Sequence, residues 1–327
     1  MRGVPFIVGS TPSILTRNNI EDYYSFQSGN QQEVSVVRLA TIRANSVEET
    51  AVVATTGVIP VRILNQQLGE HWPTTTLDII VSGQLEKVSG WYHHEGQDVL
   101  KRLKEYEIPL DQVNYAPLYR HPSKIWGIGL NYVEHASDLS EKAPTLYPAS
   151  FIKPDTTIIG HQDIVNIPLQ SEKTTGEAEL GIIIGQRCKN VPRKDWLAVV
   201  AGFTCIIDIT AEDILRQNPR YLTLAKSFDT FFSLGPQLVT PDEIEDITQL
   251  KVATVINGQR HAENIVSNMT FPPDYLVAFH SEVMTLLPGD IISTGTPRAV
   301  QLKDNDVIGC QISNFPYLKN PVHDLKR

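Results

Sequence analysis

The sequence predicts an α+β protein that is rich in β-strand and divided into two domains. Runs rich in Val, Ile and Thr, bounded by turn residues, recur along the chain, whereas few stretches show apolar residues at helical spacing. A connection containing Pro109 and Pro117 separates an early segment of strands and helix from a longer remainder. We therefore expect an N-terminal arm and small α+β domain over residues 1–118, and a larger domain over residues 119–327.

The elements of the early domain follow from local composition. Residues 1–32 are polar and turn-rich without a clear period, which is typical of an arm. Residues 34–44 and 51–64 are rich in Val, Ile and Thr, with Gly57 inside the second run, and favour strands broken by turns. Residues 96–107 carry apolar side chains at helical spacing and predict a helix.

The larger domain shows the same mixture of elements. Residues 203–209 form an apolar run that predicts a strand, and residues 249–258 predict a second one that ends in an Asn-Gly turn, a hairpin signal. Residues 272–287 place apolar side chains at helical spacing, so a helix with a buried face is expected. His280 lies in that helix, where we expect it to pack in the core rather than bind a ligand.

Composition and charge narrow the classes of function. Hydrophobic residues make up 41% of the chain and charged residues 20%, as in ordinary globular proteins, and the net charge is −9. Because no basic excess is available to neutralise phosphates, nucleic acid is not expected as a partner. The three cysteines are far apart and lack metal-site spacing. No segment reaches the roughly 18 apolar residues of a membrane span, so we expect a cytoplasmic protein that binds a small molecule.

The stretch TTGEAELGIIIG, residues 174–185, carries the strongest chemical signal. In an extended segment side chains alternate, so Glu177 and Glu179 project to one face while Leu180 points to the other. If residues 203–209 form a neighbouring strand, Asp208 completes a cluster of three carboxylates, and a divalent cation relieves their repulsion most simply. The alternative is a solvated strand face, which is the commoner meaning of two nearby glutamates.

A histidine and an acid stand near the start of the larger domain. His135 and Asp138 are three residues apart and would share one face of a helix. An acid beside an imidazole sets its tautomer and raises its basicity, which is what a group that activates water or moves a proton requires. The alternative is an ordinary surface pair.

Seven blocks of this sequence resemble the fumarylacetoacetate hydrolase family, and the resemblance covers roughly residues 119–327. The blocks are KIWGIGLNYVEHASD, SFIKP, GEAELGIIIG, AGFTCIIDITAED, AKSFDTFFSLGP, LLPGDIISTGTP and LKNPV, in that order. The resemblance implies a mixed β-roll catalytic domain with flanking helices, and a smaller N-terminal domain in many members. It also implies a bound Mg²⁺ or Mn²⁺, 2-oxo acid substrates of the acylpyruvate type, and a homodimer.

The family's metal and lid residues have matches here. Glu177, Glu179 and Asp208 match its metal-binding carboxylates. His135 matches the histidine of the catalytic lid pair, and Asp138 stands in place of a glutamate. The shorter acid reduces the reach to the imidazole by about one methylene, on the order of 1.5 Å.

The resemblance also assigns substrate contacts. Lys153 and Lys226 match basic residues of the active site, with Lys226 expected to act in catalysis and Lys153 to bind substrate. Thr296 matches a residue that binds the substrate's carboxylate end. Gly295, which has no Cβ, lets the backbone there approach a ligand closely.

Several positions depart from the family pattern. Glu212 stands where many members have an arginine, Leu215 where they have a glutamine, and Gly176 where an aromatic residue is common. The bidentate grip of an arginine on substrate oxygen is therefore missing. Arg216 or Arg220 could replace that cation from a shifted position, and we include Arg220 among the expected substrate-binding residues.

The predicted function is a metal-dependent hydrolase that cleaves a C–C bond of an acylpyruvate-like or fumarylacetoacetate-like 2-oxo acid. An alternative on the same metal site is an oxaloacetate-type decarboxylase or a keto-enol tautomerase. A third reading, motivated by Glu212 and Leu215, is a binding protein without catalytic activity. A protein that binds no divalent cation by calorimetry would favour this third hypothesis.

Overall fold

The computed structural model describes residues 37–44, 47–133 and 144–327. These residues contain seventeen strands: β1 Arg38–Ala44, β2 Val47–Val53, β3 Gly57–Pro60, β4 Ile108–Pro109, β5 Ile125–Gly129, β6 Ala149–Lys153, β7 Ile158–Ile159, β8 Val165–Ile167, β9 Thr174–Ile184, β10 Val200–Ala211, β11 Phe232–Val239, β12 Lys251–Ile256, β13 Gln259–Ile265, β14 Ile291–Ser293, β15 Val300–Gln301, β16 Val307–Ile312 and β17 Leu318–Asp324.

Short helices flank these strands. The α-helices of the described residues are Val61–Leu68, Thr76–Val81, Leu85–Trp91, Gln97–Arg102, Glu212–Gln217, Leu222–Lys226 and Pro273–Val283, with a π-helical turn at Tyr92–Gly96. Single 3₁₀ segments lie at Lys104–Tyr106, Leu110–Gln112, Asp155–Thr157, Arg193–Val199, Pro219–Tyr221, Pro241–Glu243, Ile247–Gln249 and Val266–Asn268. The mixed, strand-rich α+β fold predicted from the sequence is confirmed.

Two sheets build the molecule. The larger sheet has the order β4-β3-β2-β1-β11-β10-β9-β14-β5-β6, and the smaller has the order β13-β12-β16-β17-β8. Most neighbours are antiparallel, but β14 runs parallel to β5, β7 to β11 and β17 to β8. The central strands β9 and β10 are buried along their whole length, so the sheet is covered on both faces there.

Each face of β9 contributes to a different apolar core. Leu180 and Ile182 lie in the core between the two sheets, whereas Ile183 packs with residues of the first strands and helices, including Leu39 and Leu64. Side chains alternate along the strand, so Glu177 and Glu179 lie on the same face as Ile183. The N-terminal segment covers this face at the Ile183 end of β9. Residues before 118 thus shield one end of the face that carries the acids.

The predicted hairpin, strands and helix agree with the structure to different degrees. The hairpin at residues 249–258 forms, with Asn257 and Gly258 both at positive φ as a tight Asn-Gly turn requires. The strands expected within 51–64 form as far as Pro60, with a break before Gly57, but the end of the run begins the helix Val61–Leu68. The helix expected over 96–107 is confined to Gln97–Arg102.

The sheet runs through both predicted domains. Strands β1 to β4 join β11 in the same sheet as β5 and β6, and all described residues belong to one compact unit. The boundary near residue 118 stays a prediction about the organisation of the chain. None of the helices in the described ranges is long and apolar enough to cross a membrane.

Candidate metal centre and active site

Two neighbouring strands bring three carboxylates together. Strand β10 pairs antiparallel with β9, and Asp208 lies directly opposite Glu177. One oxygen of each of Glu177, Glu179 and Asp208 lies within 4.8 Å of the corresponding oxygens of the other two. All three side chains are buried, so their mutual repulsion is only weakly screened.

The carboxylate of Glu177 is held by two donors from elsewhere in the site. The Thr210 hydroxyl donates to Oε1 at 2.8 Å, and the Lys226 ammonium donates to Oε2 at 3.0 Å. Thr210 lies two residues beyond Asp208 on β10 and therefore on the same face. These contacts fix the direction of the Glu177 carboxylate before any ligand binds.

Glu179 is held from the segment that follows β14. The Ser293 hydroxyl and the Gly295 backbone N–H both donate to its Oε2, at 2.6 and 2.7 Å. Gly295 has a φ of +95°, and a Cβ there would lie 2.8 Å from the Cβ of Asn131, so glycine is required. Burial, reinforced by the charges of Asp208 and Glu177, raises the pKa of Glu179 to about 8.

Two buried lysines neutralise part of this negative charge. Lys226 Nζ lies 2.6 Å from Asp208 Oδ2, and Lys153 Nζ lies 2.7 Å from Asp208 Oδ1. Lys153 also donates to the backbone carbonyl of Lys226. Against the effect of burial, the two lysines lower the pKa of Asp208, and the carboxylates raise the pKa of Lys226. Burial lowers the pKa of Lys153 despite its ion pair.

The donor set fits a hard divalent cation. Three carboxylates offer only oxygen, which Mg²⁺ and Mn²⁺ prefer, and their oxygens are close enough to share one ion. With every group ionised, the three acids and two lysines leave one net negative charge. A protonated Glu179 brings the cluster to neutrality, so a bound cation would take the place of that proton.

The other predicted site residues are Thr296, Arg220, His135 and Asp138. Thr296 is buried, and its hydroxyl donates to the Arg298 carbonyl at 3.1 Å, which directs it toward its own turn. Arg220 is exposed in the 3₁₀ segment after the helix Glu212–Gln217, and no described contact joins it to the acidic cluster. His135 and Asp138 lie outside the described residues.

The departures from the family pattern have structural partners of their own. Glu212 is buried, and its carboxylate lies 3.0 Å from the Lys173 ammonium and 2.5 Å from Nε of Arg216. Arg216 is therefore engaged with the acid that replaces the family's arginine. Gly176 points away from the acids, where a Cβ would lie 2.0 Å from Ile308 Cδ1. The packing of Ile308 occupies the space that an aromatic side chain at residue 176 would need.

Sequence reasoning missed Thr210 and Ser293, which orient the two glutamates. The period of two along β10 was a usable signal for Thr210, because it puts that hydroxyl on the face of Asp208. No comparable signal existed for Ser293, which reaches Glu179 only because β14 pairs with β9.

Cation binding is expected to depend on pH through Glu179. Its raised pKa, about 8, means that the folded protein without metal binds this proton more tightly than the unfolded chain does. That protonation stabilises the metal-free fold at low pH, and the benefit fades as pH rises toward 8. We expect Mn²⁺ affinity to rise by about tenfold per pH unit between pH ~6 and ~8 and then to level off.

Calorimetry in two buffers with different ionisation enthalpies checks this expectation. At pH ~7 the titration should report release of close to one proton for each Mn²⁺ bound. An affinity that stays constant between pH ~6 and ~8 would contradict the assignment of the proton to Glu179.

Comparison with known proteins gives the same family over most of this region. The family model described as fumarylacetoacetate (FAA) hydrolase, C-terminal, matches residues 124–323. The mitochondrial oxaloacetate tautomerase Fahd2a of Rattus norvegicus is 35% identical over 223 residues, 66% of this chain and 71% of that protein.

Two solved structures extend the comparison. A 5-carboxymethyl-2-hydroxymuconate delta-isomerase from Mycobacterium smegmatis has 34% identity and a TM-score of 0.60, over 66% of this chain and 84% of that one. A maleylpyruvate hydrolase from Sphingobium sp. SYK-6, in complex with manganese (II) ion and pyruvate, has 26% identity and a TM-score of 0.69, over 88% and 99%. These relatives are enzymes of different reaction types with one fold in common. This chain, with its acidic cluster on β9 and β10, belongs to the fumarylacetoacetate hydrolase family.

Proposed function

We propose that this protein is a Mg²⁺- or Mn²⁺-dependent enzyme that converts an oxaloacetate-like 2-oxo acid between its keto and enol forms. The observation that carries the proposal is the buried cluster of Glu177, Glu179 and Asp208 with its two lysines. One divalent cation in this cluster changes its net charge from about zero to positive. A buried positive site of this kind favours a small, anionic, oxygen-rich ligand.

The family resemblance and the donor set together suggest the chemistry. Glu177, Glu179 and Asp208 would hold the cation. Bound there, it would polarise the keto oxygen of a 2-oxo acid and stabilise the negative charge that develops when C3 loses a proton. Relatives 34–36% identical to this chain include oxaloacetate tautomerases, which supports proton transfer as the reaction.

The chain's own residues would position the substrate and move the proton. His135, oriented by Asp138, takes a proton from C3 and returns it to carbon or oxygen. Lys226 faces the cluster with a raised pKa and remains a cation, so it neutralises charge that develops on the substrate oxygens. Lys153 holds Asp208 in place and provides a second buried cation.

The carboxylate ends of the substrate require further contacts. Thr296 lies directly after β14, in the same turn as Gly295, whose N–H holds Glu179, and we assign this turn to the carboxylate beside the keto group. Arg220, exposed beside the helix that carries Lys226, is assigned to the distal carboxylate. A homodimer in the cytoplasm completes the proposal.

Hydrolysis of a C–C bond is the second candidate. The likeness to the maleylpyruvate hydrolase favours this reaction. Its structural match covers 88% of this chain and includes residues outside the range that the family model matches. In this reaction His135 would deprotonate water, which attacks the distal carbonyl of an acylpyruvate. Decarboxylation of oxaloacetate would use the same cation and enol chemistry.

A substrate panel distinguishes these reactions. The protein loaded with Mg²⁺ or Mn²⁺ is incubated with oxaloacetate and with a set of acylpyruvates. Loss of enol absorbance without CO₂ is expected for tautomerisation, CO₂ release for decarboxylation, and two acid products for hydrolysis. His135→Ala should abolish whichever activity is found. Full activity in that variant would remove the assigned base, and no cation-dependent turnover of any 2-oxo acid would overturn the proposed function.

A further inference from the structure

A serine and a buried histidine form a close pair away from the acidic cluster. Ser150 Oγ, at the start of β6, lies 2.8 Å from Nε2 of His280 in the helix Pro273–Val283. His280 is fully buried, while Ser150 is only half-buried. The other ring nitrogen, Nδ1, lies 2.7 Å from the backbone carbonyl of Leu276.

The partners of the imidazole determine its tautomer. A backbone carbonyl only accepts hydrogen bonds, so Nδ1 must carry the proton that faces Leu276. In the neutral ring Nε2 is then an acceptor, and the Ser150 hydroxyl donates to it. The alternative acceptor for Ser150, the Pro148 carbonyl, is farther away at 3.4 Å. Burial lowers the pKa of His280, which keeps the ring neutral at pH ~7.

The pair is spatially separate from the metal centre. Along β6, Phe151 and Lys153 face the acids, whereas Ser150 and Ile152 point to the opposite side of the sheet. Trp126 of β5, which lies opposite Ile152, supports the imidazole with its ring centroid 4.6 Å away. Strand β6 is the last strand of the larger sheet among the described residues, so Ser150 is reached from an edge.

An apolar surface lies next to the serine. Tyr147 is 61% exposed, and its ring lies 5.9 Å from that of Phe279, which precedes His280 in the helix. Ile152, 42% exposed, lies two residues along β6 on the same face as Ser150. These side chains suit a short apolar or aromatic acyl group rather than a charged one.

We propose that Ser150 is a nucleophile and that His280 is its general base. The pair reacts with aryl esters of apolar acids and with fluorophosphonates. His280 Nε2 takes the hydroxyl proton as Ser150 Oγ bonds to the acyl carbon, and the same proton then goes to the departing phenolate. The products are acylated Ser150 and a free phenol, and water later releases the carboxylic acid. The helix carbonyl of Leu276 holds the ring in the tautomer that this step needs.

The proposal is independent of the metal-dependent function and is tested with two probes. A fluorophosphonate should add once per chain, on the peptide that contains Ser150, with loss of fluoride. A p-nitrophenyl ester of a short apolar acid should release about one equivalent of nitrophenolate in a fast phase and then turn over slowly. Both reactions should proceed equally with Mg²⁺ and with a chelator, because no residue of the pair belongs to the acidic cluster.

Variants separate the roles of the two residues. Ser150→Ala should abolish labelling, and Ser89→Ala, at another half-buried serine, should leave it unchanged. His280→Asn preserves a donor toward Leu276 but removes the base, so labelling should slow by about 100-fold or more. A thermal midpoint for each variant establishes that it is folded. The proposal is overturned by labelling at a different serine, by no labelling at Ser150, or by wild-type labelling of folded His280→Asn.

Discussion

Replacing Glu177 with glutamine is expected to lower kcat/KM for the accepted 2-oxo acid by at least about 100-fold. The amide keeps the size of the side chain but removes one of three charges on the cluster, so the cation is held by two acids. Lys226 also loses one of its two carboxylate partners. The concentration of Mn²⁺ that gives half-maximal activity should rise steeply.

Steady-state kinetics at several Mn²⁺ concentrations check this result, and Glu172→Gln is the matched control. Glu172 lies five residues earlier and is exposed, so its replacement should leave the kinetics unchanged. Activity of Glu177→Gln within a few-fold of the unmodified protein would show that this carboxylate does not hold the cation.

Lys226→Met should destabilise the metal-free protein by about 3–5 kcal/mol, because it leaves buried carboxylates without their main counter-charge. Lys226 is 5% exposed, and its ammonium contacts both Glu177 and Asp208, so solvent cannot replace it. A bound divalent cation supplies the missing positive charge. Saturating Mn²⁺ should therefore restore a large part of the lost stability, and it should stabilise the variant more than the unmodified protein.

Urea unfolding with and without Mn²⁺ measures both effects, and Lys226→Arg is the matched control that keeps the charge. Catalysis should still fall in Lys226→Met with the cation bound, since the ammonium that we assign to the substrate oxygens is gone. Equal stabilisation of variant and parent by Mn²⁺ would contradict the expectation that the cation compensates for the charge lost with Lys226.

Local rules were sufficient for the strands that carry the acids. The alternation of Glu177 and Glu179 with Leu180 and Ile182 predicted two faces, and the apolar run around Asp208 predicted the neighbouring strand. Both expectations agree with the pairing of β9 and β10. They succeeded because a strand has a period of two whatever its surroundings.

Local rules failed where a segment changes its role partway. The run 51–64 reads by composition as strands broken by turns, yet Pro60 ends β3 and a helix follows, since the apolar side chains of that helix pack on the sheet. The strand propensity of these residues is only a weak preference, and burial of their side chains in the folded protein decides their secondary structure. The roles assigned to His135 and Asp138 rest on resemblance, that of Arg220 rests on a departure from the family pattern, and all three stay predictions.

By itself the sequence determined the family, the two strand faces and the identity of the three acids, because these depend on residue type and spacing along one stretch of chain. Only the tertiary structure decided what surrounds the acids. Ser293 and Gly295 reach Glu179 from more than a hundred residues away, and Lys153 reaches Asp208 across the sheet. Such contacts depend on which strands become neighbours, and burial then sets the charge of each group.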